Sequence, residues 1–286
     1  MTDGIAPRFE EETAPLQVTG RGEVQVGVPR GHPLRSALGP GETLRFLPVL
    51  GDADIDDGSA TLGFRIECVA EVESDREVPP PTRNLRYIPG SDQYLVAWPR
   101  ALARGVGLSA HGTDEEVQVR LSDLDDGAFE ASFTPPLELP AAERFPRSSP
   151  NTDETRRLQP LPTRDPGDRP GPEKYRLRFP VAYNDRYGFE AGTDVAMSVE
   201  MHEGRPAIVF RPDADDARDA HLLRRLQVER RQREADGNTD TDGDDGPGEF
   251  SPVHAVYVPK SLVHFLGLAG ERVTLLPRDS TIVASP

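Results

Sequence analysis

A single cysteine, Cys68, stands in 286 residues. It permits no internal disulfide and no cysteine-only zinc site. The six histidines are scattered and make no pair of ligands four residues apart. No nucleophile has a general base in a recognisable arrangement. The chain is therefore expected to be no enzyme and to carry no metal or cofactor. No apolar run approaches the roughly 20 residues of a helical membrane span, so no membrane partner is expected. The opening MTDGIAPRFEEETAP has neither a basic nor an apolar segment of a secretory signal, and a cytoplasmic location is expected. Lysine is nearly missing: Lys174 and Lys260 are the only two among 33 basic residues.

What replaces these is acid, arginine, proline and glycine. Forty-nine carboxylates give a net charge of −16. Acid excess with few lysines and few aromatics is the composition of proteins from salt-loving microbes, where carboxylates keep a surface hydrated at high ionic strength. Such acidity does not exclude a nucleic-acid partner. The 29 prolines and 26 glycines, with a mean hydropathy of −0.55, predict many turns and several unfolded connectors. Residues 1–21 read as a flexible N-terminus. Residues 136–171 are proline-rich and without periodicity, a linker. Residues 214–235 carry Asp at the front, Arg at the back and Leu222, Leu223 and Leu226 between, which predicts a helix. Residues 236–249 read as an acidic linker. Within them, 238–249 has calcium-loop spacing with Asn238 in the first place, Gly243 at the turn and Glu249 last, but Asp245 occupies the apolar eighth place. Gly105 and Gly107 follow a predicted helix rather than a strand, so they read as helix-end glycines and not as a phosphate loop.

Between these segments stand four islands with one pattern. Each begins with a short alternating strand ending in Pro29, Pro99, Pro180 or Pro259. A short helix is predicted next, since proline fits a first helical turn. Then come Leu38-Gly39, Val106-Gly107, Tyr187-Gly188 and Leu266-Gly267, where glycine takes the left-handed end of a helix cheaply. Two further strands start at Leu44, Val117, Val195 and Val273. A unit of this size is too small to bury a core alone, so units must pair.

The pattern resembles the AbrB/SpoVT swapped-hairpin family, above all in Tyr257-Val258-Pro259-Lys260-Ser261-Leu262 and Leu266-Gly267-Leu268-Ala269-Gly270-Glu271-Arg272-Val273. The resemblance implies a mainly β chain with short helices. It implies two swapped-hairpin barrels, at 22–135 and 172–286, each an intramolecular pseudo-dimer of two repeats, with further homo-oligomers open. The family has an additional strand before the one ending in proline. Leu85-Arg86-Tyr87-Ile88 and Leu16-Gln17-Val18 supply it in repeats 2 and 1, whereas repeats 3 and 4 are expected to lack it. The family binds DNA through strand and helix arginines. Carried over, these positions point to Arg176, Arg178, Arg186, Lys260, Arg35 and Arg104.

Local charge narrows the expectation. Residues 22–70 and 93–135 together carry a net −7, while 172–212 and 251–286 together carry +1. Phosphate contact needs local positive charge, so DNA contact is expected on the C-terminal barrel. The competing expectation is a scaffold or antitoxin-like module that binds a protein partner.

Overall fold

The computed structural model describes residues 13–28, 30–37, 39–53, 58–69, 81–110, 117–124, 127–142, 154–161, 174–180, 183, 187–190, 192–212, 222–225, 227–231, 251–278 and 281–286. The chain is mainly β with a few short helices. In the first half the elements are β1 (Thr13–Val18), β2 (Val24–Val28), α1 (Pro33–Ala37), β3 (Thr43–Ala53), β4 (Ala60–Val69), β5 (Thr82–Asn84) and β6 (Arg86–Ile88). They continue as β7 (Gln93–Ala97), α2 (Arg100–Gly105), β8 (Gln118–Asp123), β9 (Phe129–Thr134) and β10 (Glu138–Leu139). The second half has β11 (Glu154–Arg157), β12 (Gln159–Pro160), β13 (Lys174–Phe179), β14 (Asp194–His202), β15 (Arg205–Pro212) and β16 (Leu222–Arg225). It ends with β17 (Gln227–Arg231), β18 (Ser251–Pro259), α3 (Lys260–Phe265), β19 (Arg272–Arg278) and β20 (Thr281–Ser285).

The two halves share one strand order. In the first, an antiparallel, barrel-like sheet runs β5-β3-β4-β9-β8-β1-β2-β7-β6. In the second, one sheet runs β11-β19-β20-β15-β14-β16 and another β12-β13-β18-β17. The strands ending in proline pair at each centre, β2 with β7 and β13 with β18. Each leading strand serves both sheets. Thr13–Pro15 pairs with β8 of the neighbouring repeat, whereas Leu16–Val18 pairs with β2 of its own. β5 and β6 divide in the same way between β3 and β7. The crossing residue is a leucine, Leu16, Leu85 or Leu158, buried to 9% exposure or less. Apolar side chains there tie the two sheets to one core.

Repeats 3 and 4 therefore do have leading strands. β11 and β12 serve repeat 3, β16 and β17 serve repeat 4. This corrects the expectation that these repeats lack them, and other expectations change with it. The predicted helix 214–235 is strand over its described residues, 222–225 and 227–231. Backbone pairing to β14 and β18 outweighs a helix propensity that rests on a narrow apolar stripe. The stretch 136–171 is not simply a linker. β10 pairs with β4, the Leu62 N–H donates to Leu137 O at 2.7 Å, and the Ala142 N–H donates to Met201 O at 2.7 Å. That segment fastens the first half to β14 of the second. β1 likewise lies inside the expected flexible 1–21. The calcium-spaced 238–249 lies outside the described residues.

The helices α2 and α3 start after Pro99 and Pro259, and the glycines behind them, Gly107 and Gly267, have φ of +77° and +67°. In repeat 1 the positive φ falls at Gly41, which like Gly192 and Gly270 stands three residues before the first apolar residue of the next strand. α2 and α3 meet between the halves. A Cβ on Gly105 would lie 2.7 Å from Leu262 Cδ2, so glycine is what lets α3 approach. Phe265 of α3 reaches the ring of Phe64, with centroids 5.7 Å apart, and joins Phe46, Trp98 and Phe133 in one aromatic cluster. The buried core is continuous across both halves.

Candidate nucleic-acid interface

β13 reads Lys-Tyr-Arg-Leu-Arg-Phe, and its alternation sorts the side chains. Tyr175, Leu177 and Phe179 are buried in the core. Lys174, Arg176 and Arg178 stand on the opposite, solvent-facing side, because successive strand residues point to opposite faces. Arg176 Nη2 donates to Gln159 Oε1 of β12 at 2.6 Å. The Lys174 ammonium lies over the Tyr257 ring of β18, 4.2 Å from its centroid. Tyr175 Oη lies 2.8 Å from His264 Nε2, which holds α3 against β13. Strands β12, β13 and β18 carry no carboxylate at all. Within this sheet the one acidic residue of the sequence is Glu229 of the edge strand β17.

Lys260 opens α3 and is half-buried. It follows Pro259, the register partner of Lys174, so both lysines stand at one end of the sheet. Arg186 lies outside the described residues. The structure thus brings Lys174, Arg176, Arg178 and Lys260 together. Lys174, not singled out in the sequence, joins this row through the two-residue period of β13.

Arg35 and Arg104 belong to the other half. Arg35 Nη2 donates to both Asp92 Oδ1 and Asp92 O at 3.0 Å, and its guanidinium lies 5.1 Å from the Tyr94 ring centroid. The Tyr87 hydroxyl donates to the same carboxylate at 3.2 Å. These hydrogen bonds, Arg35 first and Tyr87 second, hold Asp92 below the usual carboxylate range and raise Tyr87. Arg35 is therefore charge-neutralised where it stands. Arg104, on α2, has a buried Nε with no hydrogen-bond partner among the described residues. Burial first, and the Arg104 charge second, lower Arg224 of β16 below the ordinary arginine value. Arg104 thus lies beside the β1–β2 turn, where a Cβ on Gly22 would stand 3.1 Å from its Nη2, and within electrostatic reach of β16.

The matching face of the first half is polar but almost uncharged. Gln17, Gln25 and Gln93 stand on it; Gln25 Nε2 donates to Gln17 Oε1 at 3.3 Å. Arg86 is its basic residue and lies 3.5 Å from Glu23. Where Arg176 stands four residues before Pro180, the other repeats have Gln25, Leu95 and Ala255.

Among the described residues, no helix is long and apolar enough to cross a membrane, and no group of three or more His, Cys, Asp or Glu is placed to hold a metal. Compared with known proteins, the chain matches no family model, no curated protein and no solved structure.

Proposed function

We propose that the chain is a non-catalytic DNA-binding regulator. In this reading it consists of two swapped-hairpin barrels resembling the AbrB/SpoVT family, and it meets DNA with the outer face of the β12-β13-β18-β17 sheet. The repeated strand order and the exchange of leading strands between neighbouring repeats support the architecture. The observation that carries the function is the row Lys174, Arg176, Arg178 on a sheet whose two central strands, β13 and β18, lack carboxylates. A cation that neutralises one phosphate adds about 0.9 to the slope of log affinity against log salt. Alternating residues on one strand are about 7 Å apart, close to the spacing of successive phosphates along one strand.

The test is binding of the full chain to duplex DNA by fluorescence anisotropy over a potassium chloride series. Arg176→Ala with Arg178→Ala should weaken binding and reduce the salt slope by about two. An unchanged slope, or no binding at low salt, defeats the reading. In that case a protein-binding scaffold takes its place, a reading favoured by the uncharged glutamine face of the first half and the pairing of Arg35 with Asp92.

A further inference from the structure

Repeats 1 and 3 carry the same cross-strand pair with one exchange. In repeat 1 the crossing Leu16 is followed by Gln17, the register partner of Gln25 in β2. In repeat 3 the crossing Leu158 is followed by Gln159, the register partner of Arg176 in β13. Both glutamines accept a hydrogen bond through Oε1. Gln25 Nε2 donates to Gln17 at 3.3 Å, and Arg176 Nη2 donates to Gln159 at 2.6 Å. The acceptor is kept, and the donor has become a cation.

Gln159 is fixed from both sides. Leu158 is 1% exposed in the core, and the Leu161 N–H donates to Lys174 O at 3.2 Å. An arginine anchored in this way loses less side-chain freedom when it meets a ligand. A neutral amide takes one of the guanidinium N–H donors and none of the charge. Arg35 and Arg86 of the first half are held differently. Asp92 pairs with Arg35 at 3.0 Å and Glu23 with Arg86 at 3.5 Å, so a carboxylate meets each of these cations. Lys174 of β13, like Arg176, is held by a neutral group, the Tyr257 ring, 4.2 Å from its centroid.

We infer that Gln159 is a positioning residue of the basic face: it presents Arg176 to a DNA phosphate in a set orientation with its charge undiminished. The inference rests on the DNA reading of the β13 face. It gives β12, a strand of two residues, a part in affinity.

The full chain is titrated with a fluorescein-labelled duplex of mixed sequence, by anisotropy over a potassium chloride series. Gln159→Ala should weaken binding about fivefold, the cost of ordering one arginine side chain on binding. Its salt slope should match the parent's, because no cation is lost. Gln159→Glu should lower the slope by about 0.9, because it gives Arg176 a carboxylate such as Arg35 has. In an Arg176→Ala background, Gln159→Ala should have no further effect. A general loosening of β12 would persist in that background, so the comparison separates positioning from a structural role. The inference is overturned, with the DNA reading intact, if Gln159→Ala binds like the parent or if its effect is the same with and without Arg176. An unchanged slope in Gln159→Glu overturns it equally. Absence of binding by the parent at every salt overturns the DNA reading and the inference together.

Discussion

The two halves of the molecule have the same strand order and opposite outer faces. Inward positions correspond closely in kind: Val24, Val26 and Val28 of β2 stand where Tyr175, Leu177 and Phe179 stand in β13, all buried. Outward positions have parted. Gln25 of one faces solvent where Arg176 of the other does. On the larger sheets the contrast reverses. Glu67 is shared by Arg45 at 3.1 Å and Arg65 at 2.8 Å, with all three side chains 28–33% exposed. In the second half Arg211 occupies the place of Glu67 and pairs with Glu200, whose side chain is 5% exposed. A period of two lets one face keep the core while the other changes its chemistry.

That contrast predicts unequal costs. Arg211 Nη2 donates to Glu200 Oε2 at 2.8 Å and Nη1 to Ser198 Oγ at 3.0 Å. Arg211→Ala leaves a buried carboxylate without its cation and is expected to cost about 3–5 kcal/mol. Arg45→Ala, at the half-exposed triad, should cost under about 1 kcal/mol. Urea denaturation of both variants measures this; equal costs would remove the distinction between the two sheets.

The thiol gives a second handle, confined to the first half. Burial first, then the hydrogen bond to Glu42 at 3.2 Å, then the Glu42 charge push the Cys68 thiol from 9.0 up to about 11. Near pH 8 the native chain should react with a disulfide reagent about a hundredfold more slowly than the urea-unfolded chain, following the thiolate fraction. Glu42→Gln removes the charge and should speed the native reaction. Equal native and unfolded rates would contradict the burial of this strand end.

The meeting of α2 and α3 is also lopsided. Aligned on their prolines, Gly105 of α2 corresponds to Phe265 of α3; one is a notch, the other a plug. Gly105→Ala presses on Leu262, which is fully buried, and should cost about 1–3 kcal/mol. Gly20→Ala, with open space around it, is the neutral control. Thermal melting compares them, and a neutral Gly105→Ala would show that the halves do not depend on this contact.

The mainly β class was legible because proline, glycine and alternating apolar residues punctuate the chain at regular distances. The leading strands of repeats 3 and 4 were not. Glu154–Arg157 and Gln159–Pro160 are short and charged or proline-bearing, and they gain their pairing only from β19 and β13. Leu222, Leu223 and Leu226 show helical spacing, and only the pairing of Leu222–Arg225 with β14 makes this stretch a strand. The basic row of β13 was half visible, since Arg176 and Arg178 lie two apart. The surroundings of Arg35 and Arg104 were not legible, because a motif position says nothing about Asp92, 57 residues away, or about Arg224 of β16.

The smallest expected effect tests whether pairing with Asp92 limits contact of Arg35 with DNA. Asp92 has φ of +48°, a conformation asparagine also accepts, so Asp92→Asn preserves the backbone. The substitution keeps an oxygen for Arg35 and Tyr87 but deletes the charge. Asp92 sits below its unfolded value, so its stabilisation is present above about pH 4 and is lost as pH falls through the depressed folded value. The carboxylate is exposed, so this acid-side loss is small. The Asn variant should melt like the parent at pH 7 and show a slightly flatter decline toward pH 3. With the carboxylate gone, Arg35 regains a net charge beside Arg30, and the salt slope of DNA binding should rise by no more than one. A rise matching the loss caused by removing both Arg176 and Arg178 would show that the two faces are equivalent and that the C-terminal assignment is wrong.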